Sequence, residues 1–138
     1  MLLDTEKGSD GGIKPIGQMQ KSDVCINGMF LNYACYFGAN EIQIRSVVDF
    51  LLSQIMPDGG FNCRSNGSGA IHSSLHTTLS VLEGICEYEV NGYSYRLDEL
   101  LKAAETAKEF ILIHRLFRSD KSGLIINKRF QNFPYPTR

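Results

Sequence analysis

The feature that most constrains the fold of this chain is a short turn motif that occurs twice. Asp10-Gly11-Gly12-Ile13 and Asp58-Gly59-Gly60-Phe61 repeat an Asp-Gly-Gly-apolar core at a distance of 48 residues. Each copy is followed by a polar stretch and then by an apolar segment, residues 24–37 and 75–90. Self-similarity of this length is typical of stacked helical hairpins. A looser third echo begins at Ser119 and ends at Leu124.

Helical spacing of apolar residues predicts four helices, over residues 24–37, 41–55, 75–90 and 95–117. Gly38 follows the first as a C′ glycine, which ends a helix in the left-handed conformation. Pro57 is expected to stop the second helix because proline cannot continue one. Ser73 and Ser74 precede the third and are available to cap it. The sequence therefore predicts an all-α fold.

Charge is distributed unequally among these helices. The segments 41–55 and 95–117 together carry eleven charged residues, whereas 24–37 and 75–90 together carry three. A helix with little charge is usually covered on most of its sides. This pattern predicts two layers, with the low-charge helices inside and the amphipathic helices outside. An ordinary antiparallel four-helix bundle fits the number of helices as well, but it does not explain the repeated turn.

Length and composition limit what the chain can be. With 138 residues, 43% of them hydrophobic, it fits one domain, which we divide into repeats at 8–55 and 56–118 and a partial repeat at 119–138. The 14 basic residues are balanced by 15 acidic ones, which argues against a nucleic-acid partner. No apolar run approaches the roughly 20 residues of a membrane span. The start of the chain lacks a signal-peptide pattern, so a cytoplasmic location is expected.

The second copy of the motif carries a resemblance to a known family. The stretch from Pro57 to Cys63, followed by the stretch from His72 to Ile85, resembles the repeat of the terpenoid cyclase and protein prenyltransferase superfamily. This resemblance implies an α/α toroid with inner and outer helix rings. It extends at the level of the repeat over residues 8–138. The chain supplies only part of such a ring, so we expect exposed apolar flanks and a homodimer or higher oligomer.

The resemblance also bears on activity. Squalene-type cyclases carry a DxDD proton-donor motif and Gln-Trp signatures, but this chain has no DxDD and no Trp, with Phe61 at a common Trp position. Without a proton donor, cyclisation has no evident start. The prenyltransferase catalytic subunit holds zinc through an Asp-x-Cys pair and a His in a His-Thr context. The matching positions here are Asp23, Cys25 and His76.

A zinc site of this kind has a coherent chemistry. Three protein ligands leave a fourth position for water or an incoming thiol, and zinc lowers the pKa of a bound thiol. The resemblance implies an isoprenoid diphosphate or another apolar electrophile as the partner of that thiol. Arg64, Arg45 and Lys21 are scattered along the sequence and do not form a clear diphosphate-binding cluster. No cofactor besides zinc is expected.

Each candidate ligand also has a structural explanation. Asp23 is well placed as a helix N-cap, and free cysteines such as Cys25 are often simply buried. A histidine on a low-charge helix, such as His76, is more often a hydrogen-bonded structural residue than a metal ligand. A second candidate ligand set joins Cys63 and His72 to His76, a loose spacing that is common by chance. The functional alternative is a non-catalytic helical scaffold that binds a peptide, a protein or an apolar small molecule.

Overall fold

The computed structural model describes residues 6–14, 21–65 and 69–131. The helices are α1 (Val24–Tyr36), α2 (Glu41–Ser53), α3 (Leu75–Val90) and α4 (Leu97–Ile113), followed by a short 3₁₀ helix (Lys128–Gln131). Within these described ranges there is no β-strand, only isolated bridges that join Lys7 to Ile13 and Arg118 to Ile125. The predicted all-α class is confirmed.

Most helix ends lie close to their predicted positions. Gly38 has a φ of +70° after α1, as expected of a C′ glycine. α2 ends at Ser53, before Pro57 is reached, so the proline is not its direct stop. The predicted end of α4 at residue 117 is wrong, because Arg115 and Leu116 have φ values of +44° and +69° and turn the chain.

The two hairpins, α1–α2 and α3–α4, stack side by side. The first helices of the two hairpins contact each other, and so do the second helices. Within each hairpin the two helices also pack together. The core formed between them is apolar, and its largest fully buried side chains include Leu31, Ile44, Phe50, Phe61, Tyr88 and Leu100.

The low-charge helices are not covered as fully as predicted. One side of α1 leaves Tyr33 and Tyr36 exposed, at 56% and 68%, and Phe37 beyond its end is 80% exposed. Leu79 of α3 is 52% exposed. Low charge here reflects both burial between the hairpins and an apolar surface that no described residue covers.

α1 and α3 touch through their backbones. A Cβ atom placed on Gly84 would lie 2.5 Å from the carbonyl oxygen of Gly28, and one on Gly28 would lie 2.8 Å from the carbonyl oxygen of Ser80. Real Cβ atoms do not come this close to other atoms, so both positions require glycine. Gly28 lies within the continuous helix α1 and allows the two hairpins to approach.

The two Asp-Gly-Gly motifs form the same hydrogen-bonded turn. Each turn begins two residues before the aspartate, at Gly8 or Met56. The N–H of this first residue donates to the carbonyl of the motif's second glycine, and its own carbonyl accepts from the N–H of the motif's first glycine. The pairs are Gly8–Gly12 (2.7 Å) and Gly8–Gly11 (3.0 Å), then Met56–Gly60 (3.0 Å) and Met56–Gly59 (2.9 Å). Gly11 and Gly59 have φ values of +85° and +89°, a left-handed conformation that glycine adopts without strain.

The aspartate of each motif ties the turn to the start of the next helix. Asp10 accepts from the backbone N–H of Ser22 at 2.8 Å and from its hydroxyl at 2.6 Å. Asp58 accepts from the backbone N–H of Ser73 at 2.8 Å and also from the Ser73 hydroxyl. The predicted repeat is thus a repeated set of contacts, not only a repeated string of residues.

The apolar residue of each motif is held by a polar residue inside the helix that follows. The N–H of Ile13 donates to Asn27 Oδ1 at 2.7 Å, and the N–H of Phe61 donates to Thr78 Oγ1 at 3.0 Å. All four residues are buried. These bonds satisfy backbone groups that burial would otherwise leave unpaired.

The third echo forms a related but longer turn. The N–H of Ser119 donates to the Leu124 carbonyl and that of Gly123 to the Ser119 carbonyl, both at 2.8 Å. This turn has one residue more than the turns that begin at Gly8 and Met56. Its looser spacing in the sequence therefore corresponds to an inserted residue.

Candidate metal centre

Three side chains with metal-binding atoms converge where the two hairpins meet. One carboxylate oxygen of Asp23 and the sulfur atoms of Cys25 and Cys63 all lie within 4.8 Å of one another. Asp23 and Cys25 stand at the start of α1, whereas Cys63 follows the second turn by two residues. All three residues are half-buried. Among the residues that the structure describes, no other three His, Cys, Asp or Glu side chains form such a group.

The start of α1 positions two of these groups. Asp23 is the N-cap residue, and its Oδ1 accepts from the backbone N–H of Cys25 at 3.1 Å. The Cys25 thiol donates to the same oxygen at 3.2 Å. The N-terminus of a helix favours negative charge because its unpaired N–H groups and its dipole point outward. Asp23 therefore is a helix cap and also lies in the cluster.

Cys63 is held from both sides of the junction. Its sulfur accepts from the backbone N–H of Cys25 at 3.3 Å. Its own N–H donates to Thr77 Oγ1 at 3.3 Å, and the two side chains are in hydrogen-bond contact at 3.1 Å. Thr77 is buried in the first turn of α3. The sulfur of Cys63 therefore lies between the starts of the first helices of the two hairpins.

These contacts move the pKa values of the two thiols in opposite directions. The pKa of Cys63 is lowered, first by its interaction with the Cys25 side chain, which outweighs partial burial and the nearby Asp23 side chain, with the Thr77 hydroxyl and the Cys25 N–H adding to the effect. The pKa of Cys25 is raised, first by sharing its proton with Cys63, then by burial and by its bond to Asp23. Both sulfurs must lose their protons to bind a metal ion, so metal binding at this cluster depends on pH.

The other two cysteines lie in different surroundings. Cys35 is fully buried in α1, and burial raises the pKa of its thiol to about 12. Cys86 is exposed on α3. Neither belongs to the cluster. All four cysteines are free, and only Cys25 and Cys63 combine partial exposure with a neighbouring thiol and carboxylate.

The structure brings together only some of the predicted ligands. Asp23 and Cys25 lie together, but His76 is exposed as the second residue of α3 and is not a member of their group. It directly precedes Thr77, which contacts Cys63. His72 is exposed before α3, and its carbonyl accepts from the Asn62 side chain at 2.7 Å. Cys63, which the sequence grouped with the histidines, joins the Asp-x-Cys pair instead.

The separations of the three groups are compatible with ligands of one shared ion. Two sulfurs bound to zinc at about 2.3 Å each are separated by about 3.8 Å. The cluster, with its separations of no more than 4.8 Å, needs only small side-chain adjustments to reach that arrangement. Asp23, Cys25 and Cys63 can therefore hold a metal, and a fourth coordination position remains.

Comparison of the chain with protein-family models, with curated proteins and with solved structures finds no match in any of the three. No helix in the described ranges is both long enough and apolar enough to cross a bilayer. What the protein does must therefore be inferred from the cluster and its surroundings.

Proposed function

We propose that the protein binds one zinc ion through Asp23, Cys25 and Cys63 and uses its fourth coordination position to activate a thiol. The convergence of these three ligand atoms within 4.8 Å carries the proposal. The ligands come from two segments, so an ion bound there would also link the two hairpins.

The types of ligand favour zinc over harder cations. Magnesium and calcium prefer oxygen ligands, whereas thiolates select zinc and other soft or borderline metals. Two thiolates and one carboxylate place three negative charges around a divalent ion. Such an electron-rich site is a weak Lewis acid, but it leaves a bound thiolate with much of its nucleophilic character. Thiol alkylation is therefore a better match to this site than hydrolysis by a bound water.

The resemblance to prenyltransferases supplies the proposed reaction partners. The thiol would be that of a peptide or small molecule, and the electrophile an isoprenoid or another apolar alkylating group. His76 is our candidate for a fourth ligand when no substrate is bound, because it directly precedes Thr77, which contacts Cys63. A site that depends on reduced cysteines suits the cytoplasm, where we place the protein.

Elemental analysis of the purified, reduced protein tests the zinc site. We expect about one zinc per chain, and loss of that zinc in Cys25→Ala and Cys63→Ala. The matched control is Cys86→Ala, which removes an exposed thiol outside the cluster and should retain the metal. Asp23→Asn is a sharper variant because asparagine caps a helix as well as aspartate does. Equal zinc content in all five proteins would refute the site.

His76→Ala separates two versions of the fourth position. If His76 is a ligand, the substitution weakens zinc binding in a competition titration as Asp23→Asn does. If zinc affinity is unchanged, the position belongs to water or substrate. Circular dichroism provides the control that each variant remains folded.

A scaffold function is the second candidate, and the exposed aromatic surface of α1 favours it. Tyr33, Tyr36 and Phe37 form, with the half-exposed Met29, an apolar surface on one side of the first hairpin. Such a surface suits an apolar ligand, a peptide or a second copy of the chain. Light scattering of the wild type and of a Tyr33→Ser, Tyr36→Ser variant tests self-association. A monomeric wild type at micromolar concentration would exclude the homo-oligomer that we expect.

A further inference from the structure

We infer that Cys25 and Cys63 are a site of reversible oxidation, at which a peroxide converts the two thiols to a disulfide and thereby abolishes metal binding. The metal-binding half of this inference rests on the proposed function. The oxidation half rests only on the position of the two sulfurs.

The two sulfur atoms are close although their residues are far apart in the sequence. They lie within 4.8 Å of each other, and the backbone N–H of Cys25 already donates to the Cys63 sulfur at 3.3 Å. A disulfide needs a sulfur separation of about 2.05 Å, so the side chains must rotate toward each other. Cys25 lies on a helix, whereas Cys63 begins a turn at residues 63–65, and this turn is the part that can adjust.

The surroundings of this pair also distinguish it from the other two cysteines. Cys25 and Cys63 are both half-buried, so a small oxidant can reach them. Cys35 is fully buried, and Cys86 is exposed but belongs to no such cluster. We assign the first reaction to Cys63, because it lies in the turn at residues 63–65 and not on a helix, and its sulfur is 3.3 Å from the Cys25 backbone nitrogen.

The reaction proceeds in two balanced steps with hydrogen peroxide as the oxidant. The Cys63 thiolate attacks one peroxide oxygen, the O–O bond breaks, and hydroxide leaves to give a sulfenic acid. The Cys25 sulfur then attacks the Cys63 sulfur, the S–O bond breaks, and the oxygen departs as water with the Cys25 thiol proton. Two electrons leave the two sulfurs, and peroxide is reduced to the level of water.

The product cannot serve as the proposed metal site. A metal-binding cysteine must be a thiolate, and the disulfide removes both thiolates at once. Asp23 would then be the remaining member of the cluster, and a single carboxylate does not hold zinc. Reduction of the disulfide by a thiol restores both ligands. Oxidation thus turns metal binding off, and reduction turns it on.

The test uses the full chain with Cys86→Ala, which removes the exposed thiol that would cross-link different molecules. The reduced, metal-free protein is exposed to hydrogen peroxide, its remaining thiols are alkylated, and peptides are mapped by mass spectrometry. Cys25 and Cys35 lie between Lys21 and Arg45 and so share a tryptic peptide, which makes fragmentation of the linked peptide necessary. We expect a cross-link from Cys25 to Cys63 with Cys35 alkylated only after denaturation. Free Cys25 and Cys63, or overoxidised Cys63 beside a free Cys25, would overturn the inference.

Zinc titration of the same samples tests whether the disulfide abolishes metal binding. We expect the oxidised protein to lose zinc binding and dithiothreitol to restore it. An oxidised, cross-linked protein that still binds zinc would overturn the regulatory role. Asp23→Asn keeps the two proposals apart, because it removes a metal ligand but leaves both sulfurs. If the reduced wild-type protein binds no zinc but peroxide still forms the Cys25–Cys63 disulfide, the metal site is refuted and the oxidation site is supported.

Discussion

The two hairpins share their turns but differ where their first helices begin. Asn27 lies five positions after Ser22 in the first hairpin, and Thr78 lies five positions after Ser73 in the second. These pairs make equivalent bonds to their turns and so align the two helices. In this alignment Asp23 corresponds to Ser74, and Cys25 corresponds to His76.

This difference shows which contacts both hairpins require and which positions can differ between them. The bonds that both hairpins make involve the Asp-Gly-Gly turn and the buried acceptor in the helix. The residues between them are not constrained in the same way, since Asp23 caps α1 through its side chain while Ser74 makes no such bond to α3. Asp23 and Cys25 lie close to Cys63, so their cluster is a feature of the junction between the two hairpins.

The largest loss of stability is expected from a substitution where α1 and α3 touch. Gly84→Ala places a Cβ within 2.5 Å of the Gly28 carbonyl, so α1 and α3 must separate. Overpacking of this kind costs about 1 to 3 kcal/mol, against a gain of up to about 1 kcal/mol in helix propensity. Urea unfolding should show a net loss of stability. Glu83→Ala on the exposed neighbouring position is the control, and a stabilising Gly84→Ala would contradict the close contact.

The next effect compares the two turns directly. Gly11→Ala and Gly59→Ala should each destabilise the protein by about 1 to 2 kcal/mol, because alanine is strained at positive φ. Both added methyl groups also meet a backbone carbonyl, at 3.1 Å and 3.0 Å. Gly38→Ala has the strain without any neighbour within 4 Å and should cost less. Clearly unequal losses at Gly11 and Gly59 would show that the turns are not equivalent.

Loss of the buried acceptor in the second hairpin should lower the free energy of unfolding by a similar amount. Thr78→Val keeps the shape of the side chain but leaves the Phe61 N–H without its acceptor in the core. An unpaired buried group costs about 1 to 3 kcal/mol. Thr106→Val, which removes a threonine hydroxyl from an exposed position of α4, is the matched control. Thermal unfolding should rank Thr78→Val as the less stable variant, and the reverse order would be inconsistent with these bonds.

The smallest effect is the pH dependence contributed by the second turn. Partial burial acts to raise the pKa of Asp58, but the Ser73 hydroxyl and N–H donate to its carboxylate and hold the pKa below its ordinary 3.8. A lowered folded-state pKa stabilises the protein above pH 3.8 and loses that contribution as pH falls through the folded value. Because Asp58 is largely exposed, the effect should stay below about 1 kcal/mol. Asp58→Asn should remove this part of the acid sensitivity, as measured by unfolding at several pH values.

The sequence predicted the parts of this structure that depend on local spacing. The turn repeat, the four helices and the capping role of Asp23 follow from residues near one another in the chain. The partnership of Cys63 with Asp23 and Cys25 does not, because it depends on how one hairpin packs against the next. The available signal was that Cys63 lies two residues after Phe61, where the chain returns from the second turn to the starts of the first helices.

Cobalt substitution tests the metal centre most directly. Cobalt(II) replaces zinc in tetrahedral sites, and its thiolate complexes absorb strongly in the near ultraviolet in proportion to the number of sulfur ligands. We expect the reduced protein to bind one cobalt ion with the intensity of two thiolates, and Cys25→Ala or Cys63→Ala to show half of it or none. A wild-type spectrum without a thiolate band, or one that Cys63→Ala leaves unchanged, would contradict a metal site built from Asp23, Cys25 and Cys63.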